Sequence, residues 1–145
     1  MKICWAVVVA EVVRAVRVLD GHDPIKVQYS SQDVVDFTCP EERRRKKHHP
    51  KRQSSHYCYP FYAKQGLEYV QRSGIQREED RPFQVTCSGH VPPRMPSALG
   101  YIGEVVPLQS LEEALKVLKK HPVAASMSIL DPDYTGIRDI SYITI

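Results

Sequence analysis

The segment from Met1 to Leu19, M-K-I-C-W-A-V-V-V-A-E-V-V-R-A-V-R-V-L, constrains this chain more than any other. Its polar residues Glu11, Arg14 and Arg17 recur every third position, which on a helix gathers them into one narrow stripe. Val7, Val8, Val9, Val12, Val13, Ala15, Val16 and Leu19 cover the remaining surface. The pattern therefore predicts a central helix packed on most of its faces. β-branched residues lower helix propensity slightly, and burial routinely overrides that. Cys4, at the start of such a helix, lies where unpaired backbone N–H groups and the macrodipole favour an anion. The same stretch has the look of a signal-peptide n-region and short h-region. Against that reading, no small-x-small cleavage site follows and the helical spacing continues to Leu19. The compartment is left open.

A length of 145 residues suits one domain, 1–145, and 42% hydrophobic residues are enough for it to bury a core. No stretch is long enough and free enough of charge to span a membrane, so none is expected as a partner. Cys4, Cys39, Cys58 and Cys87 are too widely spaced for a C-x-x-C zinc site, and no metal or cofactor is expected. Four cysteines allow three disulfide pairings or none.

After Leu19, Asp20-Gly21 and Asp23-Pro24 mark a turn, and Ile25 to Tyr29 reads as short and extended. Y-S-S-Q-D-V-V-D-F then reads as a helix capped by Ser30 or Ser31, with Asp33 in its first turn. From Pro40 to about Ser55 apolar residues vanish, and the run E-E-R-R-R-K-K-H-H-P-K-R-Q-S-S is a basic loop insertion. Arg43 to Lys47 with Lys51 and Arg52 also fit a nucleic-acid patch, but no aromatics interleave the charges, so nucleic acid is not the favoured partner. A third helix carries Leu67, Tyr69 and Val70 and stops at Gly74. A Pro/Gly/Ser-rich irregular stretch follows, from Val85 to Gly103. Ser110 and Glu113 then fit a capping box that opens L-E-E-A-L-K-V-L-K-K, acidic at its start and basic at its end. Val123 to Leu130 alternates as a strand does.

In order, these segments resemble the papain-like cysteine peptidases. Cys4-Trp5-Ala6 is similar to the C-G-S-C-W-A-F that begins that family's central helix, and Ser30, Gln32, Val35 and Asp36 match its L-S-E-Q-E-L-V-D-C. Gly74-Ile75, the acidic step Glu78-Glu79-Asp80, and Arg81-Pro82-Phe83 with Cys87 follow its G-I…Y-P-Y run. P-V-A-A-S-M-S-I resembles its P-V-S-V-A-I strand, and Tyr134 to Ile137 its Y-x-x-G-I segment. The resemblance implies an α+β papain-like fold: mainly the helical half around the N-terminal helix, plus a few strands of an incomplete barrel half. It implies a peptide or protein substrate, Cys4 as the nucleophile, and substrate contacts at Tyr59, Pro60, Phe61, Tyr62, Ala63 and Ser126.

Departures from the family pattern matter for chemistry. Pro60 and Phe61 stand where the family has two glycines, and proline brings no N–H to a substrate backbone. Phe37 replaces one family cysteine and Met1 falls at another, so the resemblance implies that both ordinary disulfides, through Cys87 and Cys58, are broken. Cys39 is a candidate substitute partner for Cys87. A thiol peptidase needs a histidine to take and return a proton, an amide to orient it, and oxyanion donors. The family places His and Asn about 130–150 residues past the cysteine, and none of the six histidines here fits that place. The expectation is a truncated homologue impaired in turnover. Two alternatives stand beside it: an active hydrolase whose histidine comes from an unexpected position or another chain, and a binding module. The module would use the basic insertion or an exposed half-interface to hold a protein partner.

Overall fold

The computed structural model describes residues 3–41, 58–84, 87 and 90–126. Its elements are helices: α1 (Cys4–Leu19), α2 (Ser31–Phe37), α3 (Ala63–Ser73) and α4 (Leu111–Leu118). The helix predicted to run from Cys4 to Leu19 has those bounds. Ser30 caps α2, its Oγ accepting from the Asp33 N–H at 2.9 Å. Gly74 ends α3 at φ 68°, a left-handed conformation that glycine adopts without penalty. Ser110 accepts from the Glu113 N–H at 3.1 Å, while the Glu113 carboxylate reaches back to the N–H of Gln109 at 2.7 Å. That is a capping box shifted by one residue at its return contact.

The α+β, papain-like expectation with strands is not met. Among the described residues there is no strand, and extended backbone meets only at isolated antiparallel bridges, Tyr29 with Arg77 and Ile75 with Gly100. Val123 to Ser126, the described part of the expected strand, joins no ladder. Alternating side chains favour a strand only where a neighbour takes up its backbone N–H and C=O groups, and no described residue bridges to these. Met127 to Leu130, Tyr134 to Ile137 and the basic insertion from Glu42 onward lie outside the described residues.

α1 is also less enclosed than its pattern predicts. Trp5, Ala6, Val9, Ala10 and Val13 are buried, but Val7 and Leu19 are exposed and Val8, Val12 and Val16 half-buried. Both α2 and α3 pack against α1, whereas α4 packs against none of the other three, so among the described residues no further helix covers the outer valines.

The core groups α1 residues Trp5, Val9 and Val13 with Val34, Val35, Tyr59, Val70 and Ile75. Polar contacts fix the segments around it. Asp33, with no exposed surface, receives Arg94 on both carboxylate oxygens, Nε to Oδ1 at 3.0 Å and NH2 to Oδ2 at 2.5 Å. The same guanidinium donates to Ser73 O and Gly74 O at the end of α3, at 2.8 and 2.7 Å. Arg81 donates twice to Asp36, at 3.0 and 2.7 Å, and the Phe37 ring lies close to both guanidiniums. On the far side, Asp23 accepts from Arg17 at 2.5 Å and from the Tyr29 hydroxyl at 2.6 Å.

Arg94→Ala leaves the Asp33 carboxylate buried without its partner, and the expected loss of stability is about 3–5 kcal/mol. Urea unfolding reads it, and a loss below about 1 kcal/mol would show that Asp33 is solvated. A second expectation concerns pH. Burial pushes the Asp23 carboxyl up, but hydrogen bonds from Arg17 and Tyr29 outweigh it and hold Asp23 below its ordinary 3.8. Its contribution is therefore present above pH 3.8 and is lost as the pH falls through the lowered value. The urea midpoints of wild type and Asp23→Asn should differ at pH 7 and converge in acid. At the other end, burial and the bond to Asp23 raise Tyr29 from 10.0 to about 12. That contribution holds below pH 10 and fades as the pH rises toward 12.

Candidate functional site

Ile3 precedes α1 as its N-cap, and its carbonyl accepts from the N–H groups of Ala6 and Val7 at 2.9 and 3.2 Å. Cys4 and Trp5 therefore occupy the first turn, where N–H groups have no intrahelical acceptor. No acidic side chain lies in that turn. Cys4 carries a free, exposed thiol with no hydrogen-bond partner among the described residues. Trp5 beside it is buried, and its indole N–H donates to Tyr59 O at 3.0 Å. The indole also meets the rings of Tyr59 and Phe61, each at 5.5 Å between centroids. Through Trp5 the chain around Tyr59 to Phe61 is fixed against the start of α1.

The substrate-contact residues named by the resemblance fall into different environments. Tyr59 is fully buried, donating through its hydroxyl to Val35 O at 2.9 Å and accepting from the Cys39 N–H at 3.2 Å, so it serves the core. Pro60 is exposed, Phe61 and Ala63 are half-buried, and Tyr62 is 68% exposed. These four make a surface edge beside Trp5. Ser126 is exposed in the irregular stretch after α4, and no helix packing carries that stretch toward α1.

The described histidines, His22, His90 and His121, are exposed, and none hydrogen-bonds to Cys4; His48, His49 and His56 lie outside the described residues. Among the described residues, no group of His, Cys, Asp or Glu is placed to hold a metal ion. No described helix is long and apolar enough to cross a membrane.

Cys58 and Cys87 are bonded to each other. The two cysteines that lack their family partners thus share one bridge, and Cys39 is free rather than paired with Cys87. Spacing alone had no means of choosing this pairing; it follows from the fold bringing the start of the 58–62 segment beside Cys87. The Asp33–Arg94 and Asp36–Arg81 pairs were likewise missed, because the partners stand 61 and 45 residues apart in sequence.

The sequence matches no family model, no curated protein and no solved structure.

α3 crosses α1 at Gly66, where an added Cβ would lie 2.7 Å from Val9 Cγ2 and 3.3 Å from the Trp5 ring. Gly66→Ala gains up to about 1 kcal/mol of helix propensity, but overpacking of this kind costs about 1–3 kcal/mol. The expected result is a lower melting temperature and a shifted near-ultraviolet signal from Trp5, the only tryptophan. An unchanged signal with raised stability would mean that α3 slides away freely.

Proposed function

We propose that this chain is a homologue of the papain-like cysteine peptidases in which Cys4 stands at the nucleophile position and peptide turnover is impaired. One observation carries the reading. An exposed thiol opens a helix that α2 and α3 clamp on its other side, with the adjoining tryptophan tied to the Tyr59–Phe61 stretch. That placement suits a thiol nucleophile: a helix start that favours negative charge, on a packed element, at an exposed residue.

The impairment follows from what surrounds it. Acyl transfer by a thiol needs a base within hydrogen-bond reach and then a proton donor for the leaving amine. No described histidine meets that condition for Cys4. Pro60 adds no N–H to the edge against which a substrate backbone would lie, and the Phe61 ring stands beside it. The thiol in this setting attacks small electrophiles and lacks the proton relay that hydrolysis requires.

A second reading, a non-catalytic module that holds a protein partner, draws on the apolar surface left open. α4 exposes Leu111, Leu115 and Leu118 at helical spacing, and α1 exposes Val7 and Leu19. That surface has the composition of an interface and says nothing of a reaction.

The discriminating experiment labels the full chain with iodoacetamide across pH 5 to 8 and reads Cys4 by mass spectrometry, beside a peptidase assay with a Cys4→Ala control. Expected are labelling that is slower at pH 6 than at pH 8, and no hydrolysis. Rapid labelling at pH 5 together with hydrolysis abolished in Cys4→Ala would overturn the impairment and require an imidazole at the thiol.

A further inference from the structure

The segment Val91-Pro92-Pro93-Arg94-Met95-Pro96 belongs to neither reading above. Its sequence restricts its backbone strongly. Proline rings fix φ near the polyproline value at Pro92, Pro93 and Pro96. A following proline pushes Val91, Pro92 and Met95 away from helix toward the same extended region. No helix or strand forms here, and the chain bends at Pro96.

A polyproline strand has three residues per turn, so residues three apart share an edge. The burial follows that period. Val91 and Arg94 are half-buried and form the inner edge. Pro92 with Met95 and Pro93 with Pro96 form the two others, and all four residues are exposed, Met95 to 62%. The anchors repeat at the same interval. Pro92 O accepts from Arg81 at 3.1 Å, and Met95 O accepts from the Gln76 amide at 3.2 Å. Between them Arg94 reaches inward to Asp33 and the end of α3. The segment is thus held along one edge by three side chains while two proline-bearing edges face solvent.

We infer that Pro92 to Pro96 is a docking ridge for a protein module with an aromatic-lined groove of the kind that reads proline-rich segments. Such grooves take the apolar edges of a preformed polyproline strand, whose low entropy in the free state favours binding. Restraint by Arg81, Gln76 and Arg94 lowers the ordering cost further than the same peptide achieves alone. Arg94 is committed to Asp33, so this ridge offers no free guanidinium from its own centre. The fitting groove reads proline and methionine edges and does not rely on an acidic pocket for that arginine.

The test titrates the full ¹⁵N-labelled chain with a panel of recombinant SH3, WW and EVH1 domains, following amide shifts. The expected result is saturable binding by at least one domain, with shifts centred on residues 91–97. Pro93→Ala/Pro96→Ala should weaken it by about tenfold or more, since both rings lie on one reading edge. A synthetic peptide of residues 90–98 should compete, but bind several-fold more weakly than the folded chain. Silence from the whole panel, shifts elsewhere on the surface, or undiminished binding by the double variant would each overturn the inference. Should the double variant fail to fold, the peptides decide: displacement by the wild-type peptide but not by its alanine version supports the ridge, and failure to displace overturns it.

Discussion

The Asp33 carboxylate is the constraint on which the rest of the arrangement depends. It sits in α2 with no exposed surface, where an ionised group is strongly destabilising unless it is paired and fully hydrogen-bonded. Arg94 covers both oxygens, and the Gln76 N–H donates at 3.2 Å. Because the same guanidinium takes up the carbonyls of Ser73 and Gly74, one charge pair joins α2, the C-terminal end of α3 and the 91–96 segment. A cation at the end of α3 also suits the helix dipole. Such a pair is better read as fixing one geometry than as a large source of net stability, since desolvation offsets much of the attraction.

With α2 and the end of α3 fixed in this way, the space between them defines where α1 lies. Gly66 admits Val9 and Trp5 at close range, and Trp5 then draws the 59–61 backbone to the start of α1. The Cys58–Cys87 bridge ties that same segment to the far side of the 74–84 stretch, closing 29 residues of chain. The exposure of Cys4 is a consequence of these contacts. Its neighbour is held in the core, so the thiol at the first turn faces outward.

The same construction leaves apolar surface open. α2 and α3 pack against α1 from one side, and the valines opposite have only partial cover. α4 stands apart, stabilised locally by its cap and by the Glu112–Lys116 pair at 2.8 Å, with its leucines outward. A short helix with exposed leucines gains little from its own folding, because most helical stability comes from packing an apolar face. The proline ridge differs in kind. Its backbone is held by part-buried hydrogen bonds at Pro92 O and Met95 O and by Arg94, contacts that do not depend on cover over its outward side chains.

What the sequence determined by itself was local. Period and capping chemistry set the four described helices: Cys4 to Leu19 from its polar stripe, α2 from the Ser30-Ser31 pair, α3 from Gly74 and α4 from Ser110. These signals act over three or four residues, so they are legible without knowing what packs where. What only the tertiary structure decided was every choice among distant partners. The valine pattern of α1 fitted cover on most sides, yet among the described helices α2 and α3 alone cover it. The alternation from Val123 onward fitted a strand, yet Val123 to Ser126 pair with no backbone among the described residues. Cys58 found Cys87, Asp33 found Arg94 61 residues away, and Tyr59 turned inward to the core, where a surface contact had been expected. Pairing of this kind depends on which segments are brought side by side, and residue type leaves that open until the chain has closed on itself.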